Sequence, residues 1–363
     1  MKLLTRRIAV TLIYILCLQS AHAENNKIKI HEIGVASSRG SILGVQAYFQ
    51  KRDFQSVENF LSRIRPILGT AKSQGFLQRQ TIVVFPEHVG LYLATLNQAE
   101  SVFTAVTESA AMQQVACRRI IPFLWELAWS DKKDSAAEAL FQVRAAAMLE
   151  AYEKIFSTLA KEFQVTIVAG SIPLPEIEMQ HGKLRLKPGP LYNQTLVFRP
   201  DGTPEEQIVK KHFPIARELE FMAADQTTNY QVFDTAVGKV GVLICADAWF
   251  PQAYAALEEK AADYVVVPTY TLDQSILAKP WNGYSGWEAP ADCNLTDVKT
   301  ITEWQAFNKY ALPGRIKTSK IKQGLVVRLR GNLWKSGPTR SAEQDPTPIT
   351  DPQLNADLLV LHL

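Results

Sequence analysis

The sequence predicts an α/β protein with a layered sheet core, and three observations lead to that class. Short apolar runs rich in β-branched residues recur along the chain, and they are continuous rather than alternating, as in strands covered on both faces. Longer stretches with helical periodicity fill the intervals between them. No repeat, low-complexity tract or composition shift marks an internal boundary in the 363 residues, so a single domain accommodates the chain.

In chain order, strands are expected at 28-IKIHEIGVA-36, 81-TIVVFPE-87, 165-VTIVAGS-171, 192-YNQTLVFR-199, 239-KVGVLIC-245, 262-ADYVVVPT-269, 324-GLVVRLR-330 and 356-ADLLVLHL-363. Helices are expected around 53–68, 138–163 and 251–261, where apolar residues recur at a spacing near 3.6. Two regions stand outside this rhythm. Residues 91–130 end in 121-IPFLWELAWS-130, and residues 270–315 are rich in Trp, Tyr, Gly and Pro. Long connections of this kind on an α/β scaffold form lids, pocket walls or structural surface excursions.

The first 23 residues are read separately. A basic 2-KLLTRR-7, an apolar 8-IAVTLIYILCL-18 and small residues in 21-AHA-23 have the layout of a secretory signal peptide cleaved after Ala23. The expected destination is export, to a periplasm or the exterior, with residues 24–363 as the working domain. The apolar run falls short of the ~20 residues a bilayer requires, so no stable membrane insertion is expected after cleavage.

Lys2, Arg6 and Arg7 account for the whole excess of 39 basic over 36 acidic residues. A neutral remainder is a poor match to nucleic acid. With 47% hydrophobic and 21% charged residues, the composition is that of a globular chain with a large core. Beyond the leader, Cys117, Cys245 and Cys293 are too few for a disulfide framework and lack the paired spacing of a zinc site. A Cys117–Cys293 bridge that leaves Cys245 free stays open.

Cys245 carries the chemical question. In 241-GVLICADAWFP-251 it closes a strand and precedes a turn and a helix, where open α/β sheets place their sites and where helix N-terminal amides are expected to lower a thiol pKa. A nucleophilic cysteine needs a base, a group that stabilises the negative oxygen formed on attack, and a proton for the leaving group. Two further strand ends offer them. An apolar run in 83-VVFPE-87 stops at Glu87, and 207-QIVKKHFP-214 stops at Lys210 and Lys211.

Taken together these residues resemble the carbon-nitrogen hydrolase, or nitrilase-related, superfamily, whose catalytic group is Glu, Lys and Cys in that order. Glu87 in FPE, Lys210 in KKHFP read against the family's K-x-H pattern, and Cys245 in GVLICAD carry the resemblance. VAGS at 168–171, YN at 192–193, RPDG at 199–202 and YVVVPT at 264–269 support it. It covers roughly 28–335, leaving 336–363 as a C-terminal extension.

The resemblance implies a four-layer α-β-β-α sandwich of the nitrilase type and hydrolysis of a carbon-nitrogen bond, most readily a linear amide, with nitriles open. It implies a Cys245 thioester, with Glu87 as base, Lys210 and the Ala246 N–H on the oxyanion, and no metal or organic cofactor. A second glutamate is implied between lysine and cysteine. Glu218 is preferred over Glu220, because Phe221 then follows as the family's aromatic. Ala246, Trp249 and Tyr192 are the expected substrate-binding positions. Trp249 stands where several amidase branches carry an arginine, which makes a carboxylate-bearing substrate less expected and an apolar or aromatic portion more so. The partner implied is a small amide-type molecule, and the assembly a homodimer or larger. Two other readings stay open: an N-acyltransferase using the same triad, and a secreted binding protein without catalysis.

Overall fold

The computed structural model describes residues 27–271, 274–334 and 354–363; the expected leader at 1–23 lies outside them. The strands are β1 (Lys27–Ile33), β2 (Ser41–Gln50), β3 (Thr81–Val84), β4 (Thr166–Gln180), β5 (Lys183–Phe198), β6 (Val209–Lys210), β7 (Val232–Thr235), β8 (Gly238–Val242), β9 (Tyr264–Thr269), β10 (Gln323–Arg328), β11 (Arg330–Asn332) and β12 (Leu354–His362). The principal helices are α1 (Val57–Ser73), α2 (Glu108–Cys117), α3 (Ile120–Trp129), α4 (Ser135–Phe163), α5 (Pro251–Glu259) and α6 (Glu303–Tyr310).

Two sheets organise the chain. One has the order β1-β12-β2-β3-β4-β5-β6, with β11 paired to β2; the other has the order β10-β9-β8-β7. They meet face to face. Ile42, Ile82, Val84, Val168 and Val197 from the first pack with Val240, Val242, Tyr264, Val266, Leu325 and Val327 from the second. Leu43, Val83 and Ile167 point the other way, into a core shared with Phe60 and Ile64 of α1 and Met148, Tyr152 and Ile155 of α4. On the far side, Leu243, Val265 and Val267 pack under Tyr254 and Leu257 of α5. Helix, sheet, sheet and helix thus stack as four layers. The runs of inner strands such as β3 and β9 read as continuous apolar segments because both of their faces are buried.

Several elements depart from the expectations, β2, β7 and the placement of the C-terminal strand among them. Strand β2 was not among the predicted strands, since Gly44 and Gln46 interrupt its pattern. Gly44 faces the second sheet, and a Cβ there would come 2.8 Å from Val327 Cγ2. The C-terminal residues Leu354–His362, expected in an extension outside the core, lie inside the larger sheet as β12. This strand runs antiparallel to β2 and parallel to β1, with Leu358 and Val360 fully buried. Cys117, Cys245 and Cys293 are all free thiols, so the possible Cys117–Cys293 bridge is absent.

Candidate functional site

Glu87 is placed by a turn clamped between strand ends. Beyond β3, the Phe85 N–H donates to the Val168 carbonyl, the Ser171 N–H donates to the Pro86 carbonyl, and the Ser171 hydroxyl accepts from the His88 N–H at 2.9 Å. Gly170, at φ +71°, permits this approach, because any Cβ there would collide with the Pro86 carbonyl oxygen. The turn buries Glu87 to 1% exposure, and both of its carboxylate oxygens are engaged. Oε1 accepts from Lys211 Nζ at 2.7 Å and Asn193 Nδ2 at 3.0 Å, and Oε2 accepts from the Tyr270 N–H at 2.8 Å.

The lysine in that contact is Lys211, which corrects the expectation for Lys210. β6 pairs with β5 through Gln194 and Lys210, and the Lys211 N–H continues the ladder to the Asn193 carbonyl at 2.8 Å. Neighbouring side chains on extended backbone leave on opposite sides, so only one of the two lysines can enter the site. Lys211 enters, 1% exposed, with Nζ also 2.6 Å from Glu218 Oε2. Lys210 leaves toward Glu176, 3.4 Å away, and lies over the Tyr192 ring. The same alternation separates Tyr192 from Asn193. The Asn193 amide bridges Glu87 and Glu218, whereas Tyr192 stands on the other face of β5 with Lys210, away from the expected substrate-binding position.

Glu218 lies in a short helical turn, Ala216–Leu219, and its Oε2 also accepts the Ile215 N–H at 2.8 Å. His88 Nε2 is 3.3 Å from Oε1. Glu220 points outward and pairs with Lys133. Burial opposes ionisation of Glu218, but the Lys211 ammonium and His88 outweigh it and hold the carboxyl well below the usual range. For Lys211, burial alone would favour the neutral amine. Glu218 and Glu87 reverse that and hold the ammonium well above its ordinary pKa.

Cys245 follows β8 at φ +50°, a left-handed conformation that is costly for a non-glycine residue and that opens the turn Cys245–Trp249 ahead of α5. Asp247 secures this turn to the lysine segment. It is 1% exposed, and its Oδ1 accepts the N–H groups of His212 at 3.0 Å and Phe213 at 2.8 Å, while Oδ2 accepts that of Ile244 at 3.3 Å. Burial pushes the Asp247 carboxyl up to about 7 against the pull of Lys211 and those three N–H groups. The thiol does not follow the expected lowering. Burial and the Glu87 carboxylate push Cys245 well above its ordinary pKa, and Lys211 only partly opposes them. The resting sulfur is therefore a protonated thiol beside a carboxylate, an arrangement that suits proton transfer during attack.

Around this centre, Ala246 is half-buried next to the thiol. Trp249 stacks on Trp281 at 5.9 Å and meets Tyr284 edge-on, while its carbonyl accepts from Arg315 Nη2 at 2.9 Å. Phe213 stacks on Phe250 at 3.6 Å, and the Trp287 indole donates to the Pro214 carbonyl at 2.7 Å. The 280–290 segment is thus a wall packed on the cysteine and lysine turns. Sequence alone points to no role for His88, Asn193 or the Tyr270 amide. Adjacency to Glu87 was the available signal for the first, and the YN motif for the second.

Glu87, His88 and Glu218 have ligand atoms close enough to hold a metal ion, but the space between the two carboxylates is taken by the Lys211 ammonium. The open surface concavity lined by Gln78, Arg79, Gln80, Gln164, Pro200 and Ala236 contains none of these groups.

A family model described as carbon-nitrogen hydrolase matches residues 57–288. Among curated proteins, a Bacillus subtilis protein described as the probable hydrolase YhcX is 28% identical over 190 residues, which cover 52% of this chain and 32% of that protein. A deaminated glutathione amidase of Synechocystis sp. is 31% identical over 133 residues, 34% of this chain and 46% of that protein. These matches span less than half of either relative. Among solved structures, an amidase of the nitrilase superfamily from Nesterenkonia AN1 aligns with a TM-score of 0.46 at 14% identity, covering 82% of this chain and 79% of that one. A carbon-nitrogen hydrolase from Helicobacter pylori G27 aligns with a TM-score of 0.39 at 18% identity, covering 64% and 61%.

Proposed function

The chain belongs to the carbon-nitrogen hydrolase family, and from that premise we propose that it hydrolyses small-molecule amides through a thioester on Cys245. The observation that carries this reading is the buried Lys211 ammonium held between Glu87 and Glu218, with the Cys245 thiol beside Glu87. Glu87 takes the thiol proton as sulfur attacks the carbonyl carbon. The oxyanion so formed faces the Lys211 ammonium and the Ala246 N–H. Protonated Glu87 then gives its proton to the departing nitrogen, the C–N bond breaks, and the thioester remains. Water attacks that thioester and loses its proton to Glu87. The C–S bond breaks, and the proton returns to sulfur, restoring the thiol.

Glu218 and Asn193 are positioning residues in this scheme. Their contacts fix Lys211 and Glu87 without requiring either to touch substrate. The half-buried Trp249 beside the cysteine turn supports an apolar acyl or amine portion. We also propose export through residues 1–23, testable by N-terminal sequencing of the protein recovered outside the cytoplasm.

The central test is intact-mass analysis after exposure to a panel of short aliphatic and aromatic amides. The wild-type chain gains an acyl mass located on Cys245, and Cys245→Ala gains none and does not turn over, while melting within about 1 kcal/mol of wild type. Retained turnover in Cys245→Ala would remove the cysteine from the mechanism.

A further inference from the structure

The helix α3, Ile120–Trp129, departs from the ordinary arrangement of a surface helix: it is apolar on the side toward water as well as on the side where Phe123 packs on the core. None of its ten residues is buried. Its half-buried positions are Phe123, Glu126 and Leu127, so the helix's single charged residue lies toward the protein. The outward face carries Ile121, Leu124, Trp125, Ala128 and Trp129, with Ile121 80%, Trp125 65% and Trp129 74% exposed. The two indoles lie side by side, centroids 5.9 Å apart. A helix packed on a globular core normally turns its apolar stripe inward and its charges to water. A contiguous apolar face turned outward marks a surface meant for something else.

The charges at the helix ends indicate what that is. Arg118 and Arg119 are exposed immediately before the first turn, and Arg119 at the N-cap makes no side-chain capping bond. Arg118 is the C-cap of α2, where a cation suits the helix dipole, but Arg119 stands at the N-terminus of α3, where a cation opposes it, so helix stability explains the first and not the second. At the other end Asp131 is exposed, Lys132 is half-buried and Lys133 pairs with Glu220. An apolar face with two indoles, beside a pair of free-standing arginines, has the chemistry of a helix lying in the boundary layer of an anionic bilayer, rings at headgroup depth and guanidinium groups on the phosphates. A second copy of the chain fits less well. The helix is only ~15 Å long, short of what a stable dimer contact of ~800 Å² per partner requires, and self-pairing concentrates the arginines of both copies.

We infer that α3 is a peripheral docking helix for an anionic phospholipid surface. It does not span the membrane: among the described residues no helix is long and apolar enough to do so. The inference is independent of the hydrolase reading. The corner between α3 and α4 is, however, hydrogen-bonded to the segment carrying Glu218, through the Asp134 N–H and the Glu220 carbonyl at 2.8 Å, so docking brings the site toward the bilayer surface.

The test is flotation of the full chain with phosphatidylcholine vesicles with or without about 30 mol% phosphatidylglycerol, read together with quenching of tryptophan emission by brominated lipid. The N-terminal apolar segment has no tryptophan, so quenching reports the folded domain. The wild type floats with anionic vesicles and its emission is quenched. Ile121→Ser/Trp125→Ser/Trp129→Ser loses binding about tenfold or more at unchanged melting temperature, and Arg118→Glu/Arg119→Glu loses the salt-sensitive part. Trp125→Phe/Trp129→Phe still floats but is no longer quenched. Equal flotation of wild type and the serine variant, or no quenching of the wild type, overturns the proposal. So does a vesicle-free dimer that the serine substitutions dissolve, which would give the face to a second copy.

Discussion

The candidate site and helix α3 depart from the usual distribution of groups in opposite directions. The first buries charges and the second exposes aromatics. At the centre, Glu87, Lys211 and Glu218 are all nearly inaccessible, and each finds its compensation within the chain: two carboxylates on one ammonium, with the Asn193 amide bridging them. At α3, Trp125 and Trp129 lie against each other with most of their surface exposed. The difference teaches that a buried charge can be satisfied from inside the fold, whereas an exposed apolar face has its explanation in the surroundings.

The largest expected effect breaks the first half of that comparison. Lys211→Met leaves two buried carboxylates without their cation. It should cost about 3–5 kcal/mol in urea unfolding and at least about 10²-fold in turnover. Lys210→Met, one residue away on the rim, should stay within about 0.5 kcal/mol and keep turnover within about twofold. Equal losses in the two variants would remove the distinction between the lysines.

Smaller effects sharpen it by pH. Glu218 titrates below its ordinary range in the folded chain, so its contribution is present above the unfolded carboxyl value of ~4.3 and is lost as pH falls toward the lower folded value. Asp247 has the opposite sign. Its folded value near 7 means a contribution present below ~3.9 that declines as pH rises through about 7. Urea midpoints followed from pH 3 to 8 should show a shallower acid loss in Glu218→Gln and a flatter slope from about 4 to 7 in Asp247→Asn. Profiles parallel to wild type would mean that neither carboxyl is coupled to folding.

The smallest effect belongs to the second half. Trp125→Ser/Trp129→Ser should change the melting free energy in buffer by no more than about 0.5 kcal/mol, because the rings leave one water-facing state for another. A loss of several kcal/mol would show that the rings pack in the folded chain after all.

Much of this was legible in the sequence. The short, β-branched apolar runs at 81–84 and 264–269 read as doubly covered strands, and FPE, KKHFP and LICAD each lie at a strand end. The reading failed where sequence is blind to neighbours. β2 is not evident from its sequence, because the reason for a glycine in mid-strand is the Val327 side chain pressed against Gly44 from the other sheet. The choice between Lys210 and Lys211 turned on motif alignment, although the side of a strand on which a residue emerges depends on its register with β5. The thiol was expected to be acidified by helix amides, yet its burial and the Glu87 carboxylate come from segments far along the chain.

By itself, then, the sequence determined the family, the layered fold and the residue types available for chemistry, because those follow from local hydrophobic pattern and short motifs. Which lysine enters the site, which face of β5 meets Glu87, where the C-terminal strand inserts and whether α3 turns its tryptophans in or out were decided only in the tertiary structure. Each of these depends on pairing register and packing between segments that are distant in the chain. A period-2 strand or a 3.6-residue helix specifies two faces, but not which of them another segment will cover.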